Sequence, residues 1–459
     1  MATDYIENRL FEQLNIGDVA VLERELSERD IRVFAVLTGD FNPLHVDREF
    51  AADRRFHRVI AHGMWGAALI SALIGTKLPG PGTILASQSL EFKKPIFAGD
   101  KIRVEVRVAE KFVDGGRVRL ACRCLKQDGE AAIEGELEVL APSQHYVRER
   151  GKEPSLYLAL KPDRFAALIE QARAAGAKRA GVVYPVDEPS LKGALDARDS
   201  GLIIPVLIGP RDKIENAAAE AGLDLGDAAI VEAPSPEEAA GRAVELARDG
   251  QIALLMKGAL HTDELMGPIV SEPALRAGRR LSHIFAMDVP GYDRLLFISD
   301  GAINIRPSLK EMRDIVQNAI DLARALGNED PKVALLSAVE NVTEAVESTM
   351  TAAALCKMAE RGEITGGTLD GPLAMDNAIS EQAARIKGIE SPVAGKADIL
   401  IVPDLVSGNI LAKDLDYLAG ADGAGVVVGA KVPVALTSRA DTPAERVASA
   451  ALACLVAGA

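Results

Sequence analysis

Hydrophobic and polar positions alternate over a long stretch in the first third of the chain. The alternation runs through residues 83–140 and is most regular over 102–108 and 118–124. A period of two predicts β-strands with one apolar face. The Asp-Gly pairs at 114–115 and 128–129 separate these strands, because glycine adopts the positive φ that hairpin turns require. The pattern therefore predicts an antiparallel meander.

The apolar face of this meander requires a covering element, and the preceding segment provides it. Residues 63–78 are apolar around nearly the whole helical circumference, which is typical of a buried helix. We therefore expect a curved antiparallel sheet wrapped about one helix. A shorter helix is predicted over 28–37, since Ser27 and Asp30 have the spacing of a capping box.

The pattern changes class in the second part of the chain, where apolar runs alternate with helical stretches rich in Ala and Glu. The apolar runs lie at 180–184, 205–208, 252–256, 294–298, 333–336, 398–402 and 425–428. Such strand–helix alternation predicts a mainly parallel α/β sheet. About 300 residues is long for one sheet domain, so we expect two lobes with a cleft.

The segment between the two patterns, residues 141–154, is polar, charged and ends in proline, which is typical of a linker. We predict a first domain at 1–142, a linker at 143–157 and a second domain at 158–459. The alternative, a surface loop within one domain, is weaker because the pattern changes class after this segment.

Composition and charge exclude several classes of function. The 459 residues are 48% hydrophobic and 26% charged, which is typical of a globular protein. The net charge of −15 argues against a nucleic-acid partner, because binding a phosphate backbone requires clustered Lys and Arg. The first residues do not read as a signal peptide, and the longest apolar stretch is shorter than the roughly 20 residues that span a bilayer. We expect a cytoplasmic protein without a membrane partner.

The four cysteines, Cys122, Cys124, Cys356 and Cys454, form no C-x-x-C pair. A zinc or redox motif therefore has no support, and no metal site is predicted. We interpret these residues as small, reduced, hydrophobic side chains of a cytoplasmic protein.

The first candidate chemistry lies on a short loop. Asp40 and His45 are five residues apart, with Asn42 and Pro43 between them, and the Asn-Pro pair breaks a helix there. An acid and an imidazole on one loop can hold a water between two proton-transfer groups. Free N–H groups at the start of the following helix, near Gly63, can stabilise a developing negative charge. The spacing leaves a second interpretation open, in which these side chains only cap and satisfy the loop.

The run 40–45, Asp-Phe-Asn-Pro-Leu-His, resembles the hydratase motif of the MaoC-like, or (R)-specific, enoyl-CoA hydratases. The runs 60–64, 92–95 and 99–100 are also similar, so the resemblance covers most of residues 10–140. It implies an α+β hotdog fold and the hydration of a 2-enoyl-CoA to a (3R)-3-hydroxyacyl-CoA.

The same resemblance implies roles for individual residues of the first domain. Asp40 and His45 bind and activate the water that adds across the 2,3 double bond, and Asn42 positions their loop. The backbone N–H of Gly63 forms the oxyanion hole for the thioester oxygen. Ser71, on the buried helix, matches a residue that borders the acyl pocket; the alternative is a hydroxyl that bonds back to its own helix.

Polar loops follow the apolar runs of the second half. They contain Lys257-Gly258 with His261-Thr262, Asp300-Gly301 with Asn304, Asp404 with Ser407 and Asn409, and Ser438-Arg439. Ligands bind at the carboxyl ends of strands in open α/β sheets, so we expect these loops to share one site. A guanidinium fork and a hydroxyl, as in Ser438-Arg439, match phosphate oxygens. Each loop taken alone also fits a plain turn.

This ordered set is similar to the phosphate acetyl/butyryltransferase family over residues 160–455. The resemblance implies an α/β two-lobed domain of the isocitrate/isopropylmalate dehydrogenase-like class, which transfers an acyl group between CoA and inorganic phosphate. Ser438 and Arg439 would bind phosphate and steady the transition state. The residues implied in substrate binding are His261, Thr262, Asp300, Asn304, Asp404, Ser407 and Asn409.

The base that takes the CoA thiol proton stays open at this stage. The position that matches the acetyltransferase branch holds Glu445, while Asp441 lies closer in sequence to the Ser-Arg pair. An arginine near the His261 loop is also expected to meet phosphate, and Arg276, Arg279 and Arg280 are the candidates.

Two hypotheses for the whole chain follow from the two resemblances. In the first, a bifunctional enzyme hydrates an enoyl-CoA and transfers an acyl group between CoA and phosphate. In the second, the rear half is a non-catalytic acyl-CoA-binding and oligomerisation module attached to a hydratase. Both take CoA thioesters as small-molecule ligands, the first also takes inorganic phosphate, and neither has a tightly bound cofactor. Both resemblances imply a homo-oligomer.

Overall fold

The computed structural model describes residues 5–149, 163–438 and 441–458. The chain divides into two compact units, Met1–Leu158 and Ala159–Ala459. The strands of the first unit are β1 (Tyr5–Glu7), β2 (Val19–Glu25), β3 (Ile84–Phe92), β4 (Lys101–Phe112), β5 (Arg117–Leu125), β6 (Ala131–Leu140) and β7 (Val147–Glu149). Its helices are α1 (Glu28–Thr38), α2 (Pro43–Val46), α3 (Arg48–Ala52) and α4 (Gly63–Thr76).

In the described part of the first unit, an antiparallel sheet packs on one central helix. The strand order is β2-β4-β5-β6-β3, so the predicted meander β4-β5-β6 lies in the middle. Trp65, Ile70 and Leu73 of α4 are buried in one core with Val104 and Leu120 of the sheet. The hydrophobic period of two placed these sheet residues on one face. This arrangement confirms the predicted hotdog fold.

Part of the predicted linker is ordered against the first unit. β7 pairs in antiparallel fashion with β1, with Val147 opposite Glu7. Residues 150–157 of the linker lie outside the described residues. The domain limits proposed from the sequence stay a prediction.

The second unit contains the remaining elements. Its strands are β8 (Lys178–Val183), β9 (Ile203–Gly209), β10 (Ala229–Glu232), β11 (Leu254–Lys257), β12 (Ser282–Asp288), β13 (Leu296–Ser299), β14 (Lys332–Leu336), β15 (Thr368–Leu373), β16 (Ile399–Ile401), β17 (Asp422–Val428) and β18 (Val434–Ala435). Its helices are α5 (Arg164–Ala174), α6 (Glu188–Asp199), α7 (Arg211–Ala221), α8 (Pro236–Arg248), α9 (Thr262–Ser271), α10 (Leu309–Ala325), α11 (Glu347–Glu360), α12 (Met375–Ile379), α13 (Glu381–Ile386), α14 (Leu405–Tyr417) and α15 (Pro443–Val456).

The described strands of this unit form one mixed sheet in the order β10-β9-β8-β11-β18-β17-β12-β13-β16-β14-β15. Two parallel groups, β10 to β18 and β13 to β15 in that order, are joined through the antiparallel strands β17 and β12. The prediction of a mainly parallel sheet with two lobes is confirmed.

The last helix, α15, is buried along nearly its whole length. Val447 and Leu452 lie in one core with Val426 of β17 and Leu191 of α6. Thr442 caps the helix, because its side chain accepts from the N–H of Glu445. This anchoring places Ser438, Asp441 and Glu445 at the cleft beside the central strands.

The cysteine side chains are free. Burial raises the pKa of Cys122 to about 11 and that of Cys454 to about 12, so these thiols are protonated at neutral pH. Among the described residues, no helix combines the length and apolar character needed to cross a bilayer.

Candidate active sites

The loop between α1 and α2 is organised by its own hydrogen bonds. Gly39 ends α1 with a φ of 73°, a conformation that glycine adopts without strain. Oδ1 of Asp40 accepts from the N–H of Asn42 at 3.2 Å. Oδ1 of Asn42 accepts from the N–H of Leu44 at 3.1 Å and caps α2. Asn42 therefore positions the helix that carries His45.

The acid and the imidazole of this loop converge. Nδ1 of His45 lies 2.8 Å from the carbonyl oxygen of Ile60, so Nδ1 donates and Nε2 is left for another group. Asp40, His45 and His62 place side-chain ligand atoms within 4.8 Å of one another. Two hydrogen bonds through one water span a separation of this size. The arrangement can hold a water between a carboxylate and an imidazole.

His62 is a member of this site that sequence reasoning missed. Its side chain is 3% exposed, its Nε2 donates to the carbonyl oxygen of Asp40 at 2.9 Å, and its ring lies 3.9 Å from the His45 ring. Within the described residues, its buried Nδ1 has no hydrogen-bond partner. A histidine directly before an apolar helix was the available signal, because a buried polar group needs a partner.

The start of α4 lies next to this cluster, since His62 is its N-cap residue. The first N–H groups of a helix have no carbonyl partner within it, and they carry the positive end of the dipole. Gly63 contributes the first of them. Ser71 is exposed on α4, and no hydrogen bond to its hydroxyl is present within the described residues. The alternative in which Ser71 bonds back to its own helix is not seen.

A cavity of about 350 Å³ opens beside His45. Its lining includes the cationic side chains Arg32 and Arg58, together with His57 and the Arg48–Glu28 ion pair. The Arg58 guanidinium stacks 4.0 Å over the Phe97 ring, which fixes its orientation. The cavity suits an anionic ligand that reaches the imidazole.

A second cavity of about 400 Å³ opens at the central strands of the second unit. His283, Phe285 and Met287 alternate along β12 and line it. Gly423 and Gly425 of β17 lie opposite Met287 and Phe285. A Cβ on Gly425 would lie 2.4 Å from the Leu436 carbonyl oxygen and 2.8 Å from Nε2 of His283. Because Gly423 and Gly425 have no side chains, the space between β17 and the β12 side chains stays open as this cleft.

His283 is a cleft residue that sequence reasoning also missed. It is 1% exposed, and burial lowers its pKa to about 3, so it is neutral at physiological pH. Its Nδ1 has no partner within the described residues. A histidine directly before the apolar run Ile284–Met287 was the signal for it.

Several of the predicted transferase residues line this cleft. Thr262, Asn409, Ser438 and Glu445 do so, together with Lys257. Asn409 also donates from Nδ2 to the carbonyl oxygen of Gly301 at 3.2 Å. Arg439 lies outside the described residues. His261 stands at the start of α9, where its N–H donates to Oε2 of Glu264 at 2.6 Å, and it does not line the cleft.

Asp300 and Asn304, which we expected to bind substrate, hold a loop together. Asp300 is 3% exposed and accepts from the N–H groups of Ala302 and Ile303, both at 2.9 Å. It also accepts from the N–H of His283 at 3.2 Å and from Nδ2 of Asn304 at 2.6 Å. Burial raises the pKa of this carboxyl group, against the lowering effect of these bonds. Its oxygens are directed into the protein rather than into the cleft.

Asp404 and Ser407 are likewise occupied at the start of α14. Oδ1 of Asp404 accepts from the N–H of Ser407 at 2.8 Å and from its hydroxyl at 2.9 Å. Asp404 lines a separate cavity of about 570 Å³ that also contains Glu347. Asp404 and Ser407 therefore form the N-terminal cap of α14, as is typical of an Asp-x-x-Ser sequence at the start of a helix.

The predicted phosphate-binding arginines lie elsewhere as well. Arg279 pairs with Asp321, and Nε of Arg280 donates to Oδ1 of Asn304 at 2.7 Å. Arg276, on an isolated bridge to Ala430, is not among the residues that line the cleft. Among the described residues, Arg446 is the buried arginine next to the cleft, and it donates to the Ser438 carbonyl oxygen at 2.8 Å.

Comparison with known proteins assigns the two units separately. The sequence model described as "MaoC like domain" matches residues 16–119, and that described as "Phosphate acetyl/butaryl transferase" matches residues 236–454. Phosphate acetyltransferase from Rhizobium meliloti is 58% identical over 298 residues, which are 65% of this chain and 94% of that protein. The chain belongs to the phosphate acetyl/butyryltransferase family. The resemblance inferred from the polar loops is therefore confirmed.

Two solved structures extend the comparison. A branched-chain phosphotransacylase from Enterococcus faecalis V583 is 29% identical, covers 61% of this family member and 99% of its own chain, and has a TM-score of 0.54. The R-hydratase PhaJ1 from Pseudomonas aeruginosa is 40% identical over 34% of this chain and 99% of its own, with a TM-score of 0.32. The first match agrees with the two-lobed fold of the second unit. In this chain, the phosphate acetyl/butyryltransferase unit follows a MaoC-like domain.

Proposed function

We propose that the chain is a bifunctional acyl-CoA enzyme. The first unit would hydrate a 2-enoyl-CoA to a (3R)-3-hydroxyacyl-CoA, and the second would transfer an acetyl or butyryl group between CoA and inorganic phosphate. The convergence of Asp40 and His45 beside the start of α4 carries the first activity. Family membership and the cleft lined by Thr262 and Ser438 support the second.

In the hydration step, Asp40 and Nε2 of His45 hold one water. The dyad takes a proton from this water as its oxygen bonds to C3 of the enoyl group. The thioester oxygen gains negative charge, which the N–H of Gly63 and the helix N-terminus stabilise. A proton from the dyad then bonds to C2, so that one water is added and no group is lost.

The cationic cavity beside His45 supports a CoA thioester as substrate. Phosphate groups of CoA are anionic, and guanidinium groups bind them with paired hydrogen bonds. Arg32 and Arg58 line this cavity. We propose that they receive the phosphates while the acyl end reaches the dyad. Ser71 would then border the acyl chain.

In the transfer step, phosphate and the acyl-CoA would meet in the cleft of the second unit. Ser438 and Arg439 are proposed to bind the phosphate, with Thr262 and Asn409 as further polar contacts. The thioester carbonyl carbon is attacked by a phosphate oxygen, the carbon–sulfur bond breaks, and the CoA thiolate takes a proton. The products are an acyl phosphate and CoA.

We also propose that the chain forms a homo-oligomer. β3 is an edge strand of the first sheet, and it exposes the apolar side chains Ile84, Leu85 and Phe92. An exposed, apolar edge strand is a template for pairing with another chain. Analytical ultracentrifugation at micromolar concentration is expected to give more than one chain per particle, and a monomer would contradict the proposal.

One pair of variants tests both activities. Asp40→Asn should reduce crotonyl-CoA hydration by about 10²–10⁴-fold, the usual contribution of a general base, and leave butyryl-CoA phosphorolysis unchanged. Arg439→Ala should reduce butyryl-CoA phosphorolysis and leave crotonyl-CoA hydration unchanged. Hydration is followed by loss of enoyl absorbance, and phosphorolysis by thiol release. Asp53→Asn, an exposed carboxyl group nearby in the chain, is the matched control.

The outcomes separate the competing hypotheses. An unchanged hydration rate in Asp40→Asn would contradict the dyad. No phosphate-dependent thiol release from acetyl-, butyryl- or branched-chain acyl-CoA would favour the alternative, in which the second unit binds acyl-CoA without turning it over. That alternative has one observation in its favour, namely a glutamate at the expected base position.

A further inference from the structure

We propose that Asp441, rather than Glu445, is the carboxylate that exchanges the proton of the CoA thiol in the second unit. This inference rests on the proposed transferase function and assigns one step of it. Both carboxylates line the cleft beside Ser438. They differ in what their oxygens contact.

Both oxygens of Glu445 are engaged by backbone N–H groups. Oε2 accepts from the N–H of Thr442 at 2.7 Å, which completes the capping box of α15. Oε1 accepts from the N–H of Gly423 at 3.3 Å. Both contacts hold the carboxylate in a structural position. Glu445 thus joins the start of α15 to β17.

Asp441 presents a different arrangement. Its Oδ2 accepts from the N–H of Ser438 at 2.7 Å, while its Oδ1 has no hydrogen bond to any described residue. One oxygen therefore fixes the side chain, and the other retains its lone pairs. A proton acceptor needs this combination of a fixed orientation and an open oxygen.

The surroundings of Asp441 favour proton exchange near neutral pH. The pKa of Asp441 is raised to about 6, chiefly by burial; the carboxylates Glu445 and Asp416 contribute to this rise, while the N–H of Ser438 and the Arg446 guanidinium act against it. Lys257 and Lys413 line the same cleft. A base is most effective when its pKa lies near the working pH. At pH 7 most Asp441 side chains are therefore ionised, and the carboxylate is a stronger base than one with an ordinary pKa.

The step balances in both directions. When CoA attacks an acyl phosphate, the thiol proton passes to Oδ1 of Asp441 and the sulfur bonds to the acyl carbon. The carbon–oxygen bond to phosphate breaks, and phosphate leaves with the electron pair. In the reverse direction, protonated Asp441 returns its proton to the leaving CoA sulfur.

Asp441→Asn and Glu445→Gln in the full-length chain test the assignment. Asparagine keeps an oxygen for the N–H of Ser438, and glutamine is tolerated in a capping box, so both variants are expected to fold. With acetyl phosphate and CoA at pH 7, we expect kcat of Asp441→Asn to fall at least 100-fold, with KM for acetyl phosphate within about threefold. The loss in Glu445→Gln should be at least tenfold smaller.

The pH profile distinguishes proton exchange from a merely structural role. Because the base must be ionised, wild-type kcat/KM should fall as pH drops below about 6, and Glu445→Gln should keep this limb. Asp441→Asn should lack it and recover about tenfold relative to wild type between pH 7 and 9, since a thiol with a pKa of about 8.5 ionises unaided there.

The contrary results are equally specific. An Asp441→Asn variant within threefold of wild type, or loss of the acidic limb in Glu445→Gln alone, would overturn the inference. If the Asp441→Asn variant does not fold, the loss of activity below about pH 6 can still be compared between wild type and Glu445→Gln. Its persistence in Glu445→Gln would support Asp441, and its disappearance there would support Glu445. A wild-type chain that forms no thioester from any acyl phosphate would refute the transferase function itself, and the assignment with it.

Discussion

Replacing Asp300 by alanine would remove the acceptor at the centre of a buried loop. Three backbone N–H groups and Nδ2 of Asn304 donate to its carboxylate. Each buried donor left without a partner costs about 1–3 kcal/mol. Relief of the carboxylate's own burial, which raises its pKa, offsets part of this sum. We therefore expect a net loss of about 3–5 kcal/mol, as for other buried charge networks.

The two units can be followed separately in this experiment. Trp65 is the only tryptophan of the chain and lies in the core of the first unit, so its fluorescence reports the unfolding of that unit. Far-UV circular dichroism reports both units. Asp300→Ala should lower the melting temperature of the second unit by about 6–20 °C, because each kcal/mol shifts it by about 2–4 °C. The Trp65 transition should stay in place.

The matched control is Asp293→Ala in the same unit. Asp293 is exposed and pairs with the adjacent Arg294, and such surface pairs contribute about 0–1 kcal/mol. A loss below 1 kcal/mol in Asp300→Ala, or a loss equal to that of the control, would refute the reasoning. It would mean that water reaches the four donors once the carboxylate is gone.

Two further changes probe the two sites. Gly425→Ala places a methyl group against the Leu436 carbonyl oxygen, so overpacking of about 1–3 kcal/mol should lower the melting temperature and the kcat/KM of the second unit. The control Gly241→Ala has open space around it and should change neither quantity. Equal effects of the two variants would contradict the cleft geometry. His62→Phe keeps a ring beside His45 but loses the hydrogen bond to the Asp40 carbonyl oxygen, which contributes about 1 kcal/mol. The kcat for hydration should fall about 5–10-fold, with KM little changed. An unaltered kcat would show that this hydrogen bond does not position the loop.

Local pattern determined the elements and the first catalytic candidates. The alternation over β4 to β6 and the apolar α4 predicted the hotdog arrangement, because strand and helix periods are short-range properties of a sequence. The spacing of Asp40 and His45 suggested a shared site but left a capping role open, and the resemblance to the hydratase motif made them catalytic candidates. The resemblance implied that Asn42 positions this loop, and in the structure Asn42 caps the helix that carries His45.

Tertiary structure alone decided which polar residues face a cavity. Asp300 and Asn304 stand after a strand, as binding residues often do, but the N–H of His283, 17 positions away, turns the carboxylate inward. His62 joins the first site because its ring reaches back to the carbonyl oxygen of residue 40. Such contacts depend on how strands and helices pack, and no local period encodes them.

The same distinction separates Asp441 from Glu445. Sequence spacing placed Glu445 at the expected base position, and the fold directs its oxygens to Thr442 and Gly423. The hydrogen bond to Gly423 joins residues 22 positions apart and exists only because α15 packs on β17. Sequence by itself determined that carboxylates follow Ser438; the packing of one helix on one strand decided which of them keeps an open oxygen.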